Sequence, residues 1–178
     1  FSSKERPLTR MVLFADVIVT CLGLEVVSPV SAARAQWAGK ILSELTGPTW
    51  LLLGMLADLS DDCAKLVRRF DKQDVDAIDC MVHVDAFIAM LQREYIEGAM
   101  WRRRGTYSDK IGQLLREEKM MVYGAGYVVM AVPSRSEALD VMSKVANVAA
   151  ALQKGLATEF PVGSVSRLFG CFRLVAVT

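Results

Sequence analysis

Apolar residues recur at intervals of three and four through most of the first two-thirds of the chain, a spacing typical of amphipathic helices. This pattern predicts a helical front of about five helices, with end signals at Ser28-Pro29, at Gly47-Pro48 and at Gly105. Ser31 and Ser60 are predicted to cap helix starts. The segments that carry the pattern are 8–27, 31–45, 49–59, 60–70, 74–103 and 109–118.

The last third of the chain has a different pattern, in which short apolar runs flank glycines. Residues 120–123 and 127–132 predict two β-strands around a turn at Gly124-Ala125-Gly126, and 164–178 predict one or two further strands. Between them, Ser134 and Glu137 match a capping box that opens a helix to about Lys154. The prediction is therefore an α+β fold, mainly α, with a small C-terminal β-β-α-β element. Because a short apolar run is ambiguous by periodicity, an all-α bundle is the alternative.

No repeat or low-complexity linker divides the chain. Residues 1–7 are expected to form an extended lead-in that ends at Pro7, and residues 8–178 to form one mainly helical domain.

The composition is unusually apolar for a chain of 178 residues: 53% of residues are hydrophobic and the mean hydropathy is +0.31. Either the core is generous, or part of the exterior packs against a partner or a membrane. The longest apolar run, 11–27, contains Asp16 and Glu25, and a charge near the centre of a spanning helix costs about 2.5–3.5 kcal/mol. We therefore interpret this run as a core element, with membrane contact as the alternative.

The charge balance argues against nucleic acid as a partner. Twenty-one basic and 20 acidic residues leave a net charge of +1, whereas a nucleic-acid-binding protein normally shows a basic excess or stripe. The concentrated basic patch is Trp101-Arg102-Arg103-Arg104. It is interpreted as the carboxyl end of a helix, where the helix dipole stabilises cations. Contact with a phosphate group is the alternative reading of this patch.

The cysteines predict a reducing compartment. Cys21, Cys63, Cys80 and Cys171 form no CxxC pair and lie among apolar neighbours, which is typical of reduced thiols used as small hydrophobic residues. The expected location is intracellular. The start at Phe1-Ser2-Ser3 is similar to what remains after cleavage of a mitochondrial presequence, although a trimmed sequence would look the same.

Few residue clusters suggest chemistry. His83 is the one histidine, so a multi-histidine metal site is excluded. Cys80, His83 and Asp85 are the best candidates for a catalytic group. Cys80 and His83 are three residues apart and therefore share a helix face, and Asp85 lies two residues after His83. The run from Asp71 resembles a calcium-binding EF-hand loop but has Val82 where the bidentate carboxylate is required.

Other candidates have simpler explanations. The GxG at Gly124-Ala125-Gly126 lacks the third glycine of a dinucleotide loop. The acidic groups Asp58, Asp61 and Asp62 are interpreted as solvated helix-end charges. We therefore predict no cofactor, no metal ligand and no catalytic residue.

These observations favour a non-catalytic structural or interaction subunit of a larger assembly, in an organellar and membrane-associated setting, with other protein subunits as partners. Two alternatives stay open: a membrane-peripheral or membrane-inserted protein that uses residues 11–27 and the arginine patch, and an enzyme of unknown class that uses Cys80, His83 and Asp85.

Overall fold

The computed structural model describes residues 7–71, 77–117 and 131–161. Among these residues, 85% are helical and none lies in a β-strand. The seven α-helices are α1 (Pro7–Leu13), α2 (Ala15–Val27), α3 (Ala32–Glu44), α4 (Gly47–Phe70), α5 (Ala77–Met90), α6 (Tyr107–Arg116) and α7 (Arg135–Glu159). A π-helical segment (Leu91–Ile96) and a 3₁₀ turn (Ala99–Arg102) follow α5.

The predicted β-β-α-β element is wrong, and the all-α alternative fits. Ala131 and Val132, the end of the second predicted strand, have no strand pairing, and Pro133 follows without an N–H to donate. A strand requires a hydrogen-bonded neighbour, and none of the residues described here supplies one. Residues 120–130 and 164–178, the rest of the predicted strands, lie outside the described residues.

Several helix boundaries follow the local signals. The Oγ atom of Ser31 accepts a hydrogen bond from the Arg34 amide at the start of α3. At α7, Ser134 Oγ accepts from the Glu137 amide and Glu137 Oε2 accepts from the Ser134 amide, so the predicted capping box is confirmed. Helix α2 ends at Val27, directly before Ser28-Pro29 as predicted.

The helix break predicted at Ser60 is wrong, because α4 is continuous from Gly47 to Phe70. Its buried face continues through the predicted break without a change of phase. The buried positions that form this face recur every three or four residues: Leu51, Met55, Asp58, Asp62 and Leu66.

The predicted helix 74–103 is also interrupted. It is α-helical only to Met90 and then widens into the π-helical segment, in which the Glu97 amide donates to the Gln92 carbonyl five residues earlier. Gly98 has φ 78°, a left-handed conformation that a right-handed helix cannot contain. The 3₁₀ turn follows, and Gly105, at φ 70°, separates it from α6 as the sequence predicts.

The chain divides into two compact units. The first comprises Phe1–Asp61 and Trp101–Ser143, and the second comprises Asp62–Met100 and Lys144–Thr178.

The core of the first unit is formed by α1, α2, α3, α6 and residues 47–61 of α4. Lys110 on α6 donates to the carbonyl of Leu13 at the end of α1, which satisfies one of that helix's free carbonyls. The buried apolar cluster comprises Val12, Ala15, Val19, Leu22, Ala38, Leu42, Leu45, Trp50, Ala57, Ile111, Leu114 and Leu115.

The second unit joins the end of α4 to α5, to the π-helical segment and to most of α7. Its buried residues include Val84, Phe87, Leu91 and Tyr95. The amide of Gln153 on α7 donates to the Ile88 carbonyl at 3.5 Å. None of the helices described here is both long enough and apolar enough to cross a membrane.

Candidate functional site

The α2 face, defined as Phe14, Val17, Cys21, Leu24 and Val27, is an exposed apolar surface in the first unit. These positions are spaced by three or four residues, so they share one side of the helix. Phe14 is 57% exposed and Leu24 62% exposed, although α2 buries an equally apolar side in the core. A helix that is apolar all round normally lies in a fully buried position.

The α2 face contains little polarity. At about 100° per residue, it covers an arc of about 140° that includes one polar residue, Thr20. The hydroxyl of Thr20 donates to the Asp16 carbonyl at 2.8 Å and is therefore satisfied within the helix. The acidic residues Asp16 and Glu25 lie at the two edges of the arc, and Glu25 forms an ion pair with Arg34 at 3.0 Å.

The α4–α5 cleft, in the second unit, is a separate feature with a volume of about 230 Å³. Each of the two helices contributes both polar and apolar side chains to its lining. Its lining residues are Asp62, Lys65, Leu66, Arg69, His83, Ala86, Phe87 and Met90.

A buried hydrogen-bond pair fixes the wall of this cleft. Asp62 Oδ2 accepts a hydrogen bond of 2.8 Å from Tyr95 Oη, and Asp62 Oδ1 accepts one of 2.7 Å from Lys65 Nζ. Tyr95 lies in the π-helical segment, where the wider turn changes the phase of the side chains relative to an α-helix. Such segments are rare and are often found at functional sites.

Loss of this hydrogen bond is a direct test of the wall. We expect Tyr95→Phe to lower the free energy of unfolding by about 1.5–3 kcal/mol, because a buried carboxylate oxygen loses a donor. Tyr107→Phe is the matched control, since Tyr107 donates to Asp58 through its backbone amide, which the substitution leaves in place. Urea denaturation followed by circular dichroism measures both variants. Equal, small losses would show that the bond contributes little.

The structure places one of the three catalytic candidates, His83, at the cleft. The described hydrogen bond of His83 joins its Nδ1 to Arg69 Nη1 at 3.4 Å, and not to Cys80. His83 lies at the cleft, whereas Cys80 and Asp85 are not among the lining residues.

The thiols that the structure describes, those of Cys21, Cys63 and Cys80, are free, as predicted. Burial, together with the neighbouring Asp62 carboxylate, raises the pKa of the Cys63 thiol, which disfavours the nucleophilic thiolate. Cys171 lies outside the described residues.

The interpretation of the α4 carboxylates as solvated is wrong for two of them. Asp58 and Asp62 are 5% and 8% exposed. Desolvation raises the pKa of Asp58, although hydrogen bonds from Ser108 and Tyr107 and the charge of Arg103 oppose that shift. Because all of its donors lie at the start of α6, Asp58 acts as a remote cap for that helix.

The basic patch at Trp101–Arg104 has acidic neighbours. Arg104 contacts the Asp109 carboxylate at 3.3 Å, and the charge of Arg103 acts on Asp58. The hydrogen bond from the Gly105 amide is the main cause that lowers the pKa of Asp109, and Arg104 adds to it. The patch is therefore partly engaged within the first unit.

Metal-binding clusters are not found in the described portion of the chain. Residues 72–76 of the EF-hand-like run, and Gly124-Ala125-Gly126, lie outside that portion.

Comparison with protein-family models, with curated proteins and with solved structures finds no match for this chain.

Neither the α2 face nor the α4–α5 cleft could be located from the sequence. The surplus of apolar residues was visible, but the side of α2 that faces out depends on how α2 packs against α3 and α1. The predicted break at Ser60 assigned residues 62–69 to a different helix from residues 49–59. No signal in the sequence indicates that Tyr95 reaches Asp62, which lies 33 residues earlier. Arg69 and His83, 14 residues apart, could have been paired only from the tertiary structure.

Proposed function

We propose that this chain is a non-catalytic interaction subunit of a larger multiprotein assembly, and that another protein subunit packs on the α2 face. The observation that carries this proposal is the exposure of Phe14, Val17 and Leu24, each more than half accessible to solvent. Burying such side chains contributes about 25 cal/mol per Å² of apolar surface. A contiguous apolar surface with a polar edge is typical of a protein interface.

The acidic edges favour a protein over a lipid surface. Helices that lie in a membrane interface carry Lys and Arg on the polar face, because lipid headgroups are often anionic. The charged residues of α2 are Asp16 and Glu25, both acidic. A protein partner with an apolar helix or groove and a cation opposite Asp16 complements this surface better.

The cleft geometry supports a non-catalytic role as well. The described partner of His83 is a guanidinium and not a nucleophile, and the pKa of the Cys63 thiol is raised. The free thiol of Cys21, exposed on the α2 face, supports a reducing, intracellular setting for the assembly.

A charge placed in the centre of the α2 face tests the proposal. We expect Leu24→Asp to weaken partner binding by about 30-fold or more, because buried interface anchors contribute about 2 kcal/mol or more. Leu139→Asp is the matched control, since Leu139 is also exposed, at 55%, but lies on α7. The measurement is the native mass of the tagged chain in extracts of cells that produce it.

The wild type and Leu139→Asp are expected in a complex well above the 19.6 kDa of the chain, with Leu24→Asp released from it. The proposal is wrong if the wild type elutes at the mass of the free chain, or if Leu24→Asp stays in the complex. Flotation of the purified wild type with phosphatidylserine vesicles, lost in Leu24→Asp, would replace the protein partner by a membrane.

A further inference from the structure

We infer that the α4–α5 cleft binds a small organic anion, with Arg69 and His83 holding the anionic group and Phe87 contacting the apolar body. This site is separate from the α2 face and does not depend on the proposed assembly. It is carried by the charge balance of the lining, by the geometry of the Arg69–His83 contact and by the apolar residues that line the same cleft.

The charge balance leaves the cleft positive. Lys65 and Arg69 are cationic and Asp62 is anionic, so the lining carries a net charge of +1 with a neutral histidine. The Asp62 carboxylate already accepts from Lys65 at 2.7 Å and from Tyr95 at 2.8 Å. The surplus charge is therefore that of Arg69, whose described hydrogen bond goes to an imidazole and not to a carboxylate.

The Arg69–His83 contact is weak and easily replaced. A guanidinium can only donate, so His83 Nδ1 is the acceptor in this hydrogen bond. At 3.4 Å this hydrogen bond is longer than the usual donor–acceptor distance of about 2.7–3.2 Å for N–H donors. An anion between the two groups would accept charge-assisted hydrogen bonds from Arg69, and a further bond from His83 once Nδ1 carries a proton; charge-assisted bonds are about twice as strong as neutral ones.

The apolar part of the lining sets the shape of the ligand. Leu66 and Phe87 are each 8% exposed, and Ala86 and Met90 extend the apolar surface beside them. A volume of about 230 Å³ is below the range of roughly 300–1,000 Å³ that drug-sized ligands occupy. The cleft therefore suits a compact molecule that joins one phosphate or carboxylate group to a single ring or short branched chain.

The one histidine of the chain provides the readout. Its ring C–H signals are unique in a ¹H–¹³C NMR spectrum of the full chain, so a titration reports on the cleft directly. The probe is phenyl phosphate, with inorganic phosphate and phenol as half-ligands. We expect saturable shifts of the His83 signals with phenyl phosphate, and binding at least about tenfold weaker with either half-ligand.

Two variants separate binding from folding. Arg69→Gln is expected to weaken phenyl phosphate binding by about tenfold or more, because a charge-assisted hydrogen bond is lost. Arg68→Gln, the neighbouring position on α4 and not part of the lining, should bind as the wild type does. Unchanged circular dichroism of both variants shows that they are folded.

The inference is overturned if the His83 signals do not move with phenyl phosphate, or if they move equally in Arg69→Gln and the wild type. It is also overturned if inorganic phosphate binds as tightly as phenyl phosphate, since the apolar wall would then have no role. A benzoate titration that matches phenyl phosphate would assign the cleft to carboxylates as well, and would support the shared chemistry.

Discussion

Replacement of Trp50 by alanine is expected to lower the free energy of unfolding by about 3–5 kcal/mol, the range for large-to-small changes of a buried aromatic residue. Trp50 is 0% exposed at the start of α4 and belongs to the buried cluster of the first unit. Its Nε1 atom has no hydrogen-bond partner among the described residues, so its contribution comes from apolar burial and packing. Since typical domains are stable by about 5–15 kcal/mol, this one change removes a large share of the total.

The matched control for this prediction is Trp37→Ala. Trp37 is 60% exposed on α3, so its replacement should change stability by no more than about 0.5 kcal/mol. Urea denaturation followed by circular dichroism is the measurement, because both variants lose a fluorescent side chain. If Trp50→Ala is too unstable to study, Trp50→Phe keeps a ring in the core and should show an intermediate loss. A loss below about 1 kcal/mol in Trp50→Ala would contradict the burial on which the described core depends.

Features that depend on near neighbours could be predicted from the sequence. The cap of α3 joins Ser31 to Arg34, and the capping box of α7 joins Ser134 to Glu137, so each device lies within four consecutive residues. The end of α2 at Ser28-Pro29 is similarly local, since proline restricts the residue before it. Local chemistry is sufficient in these places because the donor and the acceptor lie within one helical turn.

The region around Ser60 shows where local chemistry is not sufficient. A serine followed by two aspartates has the composition of a helix start, but Asp58 and Asp62 are used by groups 49 and 33 residues away. Those carboxylates accept hydrogen bonds from Tyr107 and Tyr95, so they lie on the buried face of a helix that continues past Ser60. The sequence alone does not contain the positions of those donors.

The last third shows a second limit. A short apolar run between glycines is compatible with a strand or with a buried segment of another kind, and periodicity cannot decide between them. Val132 illustrates this point, because it was predicted to end a β-strand, but it is 55% exposed and lies in no strand of the described residues. The apolar surplus itself was informative, since part of it lies on the α2 face, but its location depended on which side of α2 packs against α3.

The contact between Asp58 and α6 carries the second large prediction. Asp58 Oδ1 accepts from the Tyr107 amide at 2.7 Å, and Oδ2 accepts from the Ser108 amide at 3.1 Å and from Ser108 Oγ at 2.6 Å. Close approach of the backbones permits this geometry: a Cβ atom on Gly54, one turn earlier, would lie 3.0 Å from Ser108 Cα. Both oxygens of the carboxylate therefore accept hydrogen bonds from the start of α6.

We expect Asp58→Asn to lower the free energy of unfolding by about 2–3 kcal/mol near neutral pH. The amide has one acceptor oxygen, and its NH₂ group would face donors of Tyr107 or Ser108 that the second carboxylate oxygen now accepts from. Asp71→Asn, exposed directly after α4, is the control and should change stability by no more than about 0.5 kcal/mol. Chemical denaturation of both variants at a series of pH values is the measurement.

The pH dependence of the same difference separates the cap from a simple loss of packing. Burial raises the pKa of Asp58 above its ordinary value of 3.8, so the folded state holds this proton more tightly than the unfolded state does. The stability that this group contributes is therefore fully present below pH 3.8 and is lost as the pH rises through the folded pKa. Because Asn has no proton to release, the advantage of the wild type over Asp58→Asn should narrow over that range and then stay constant. If the advantage instead grows as the pH rises, the hydrogen bonds from Tyr107 and Ser108 outweigh desolvation, and Asp58 is held as a carboxylate more firmly than its burial implies.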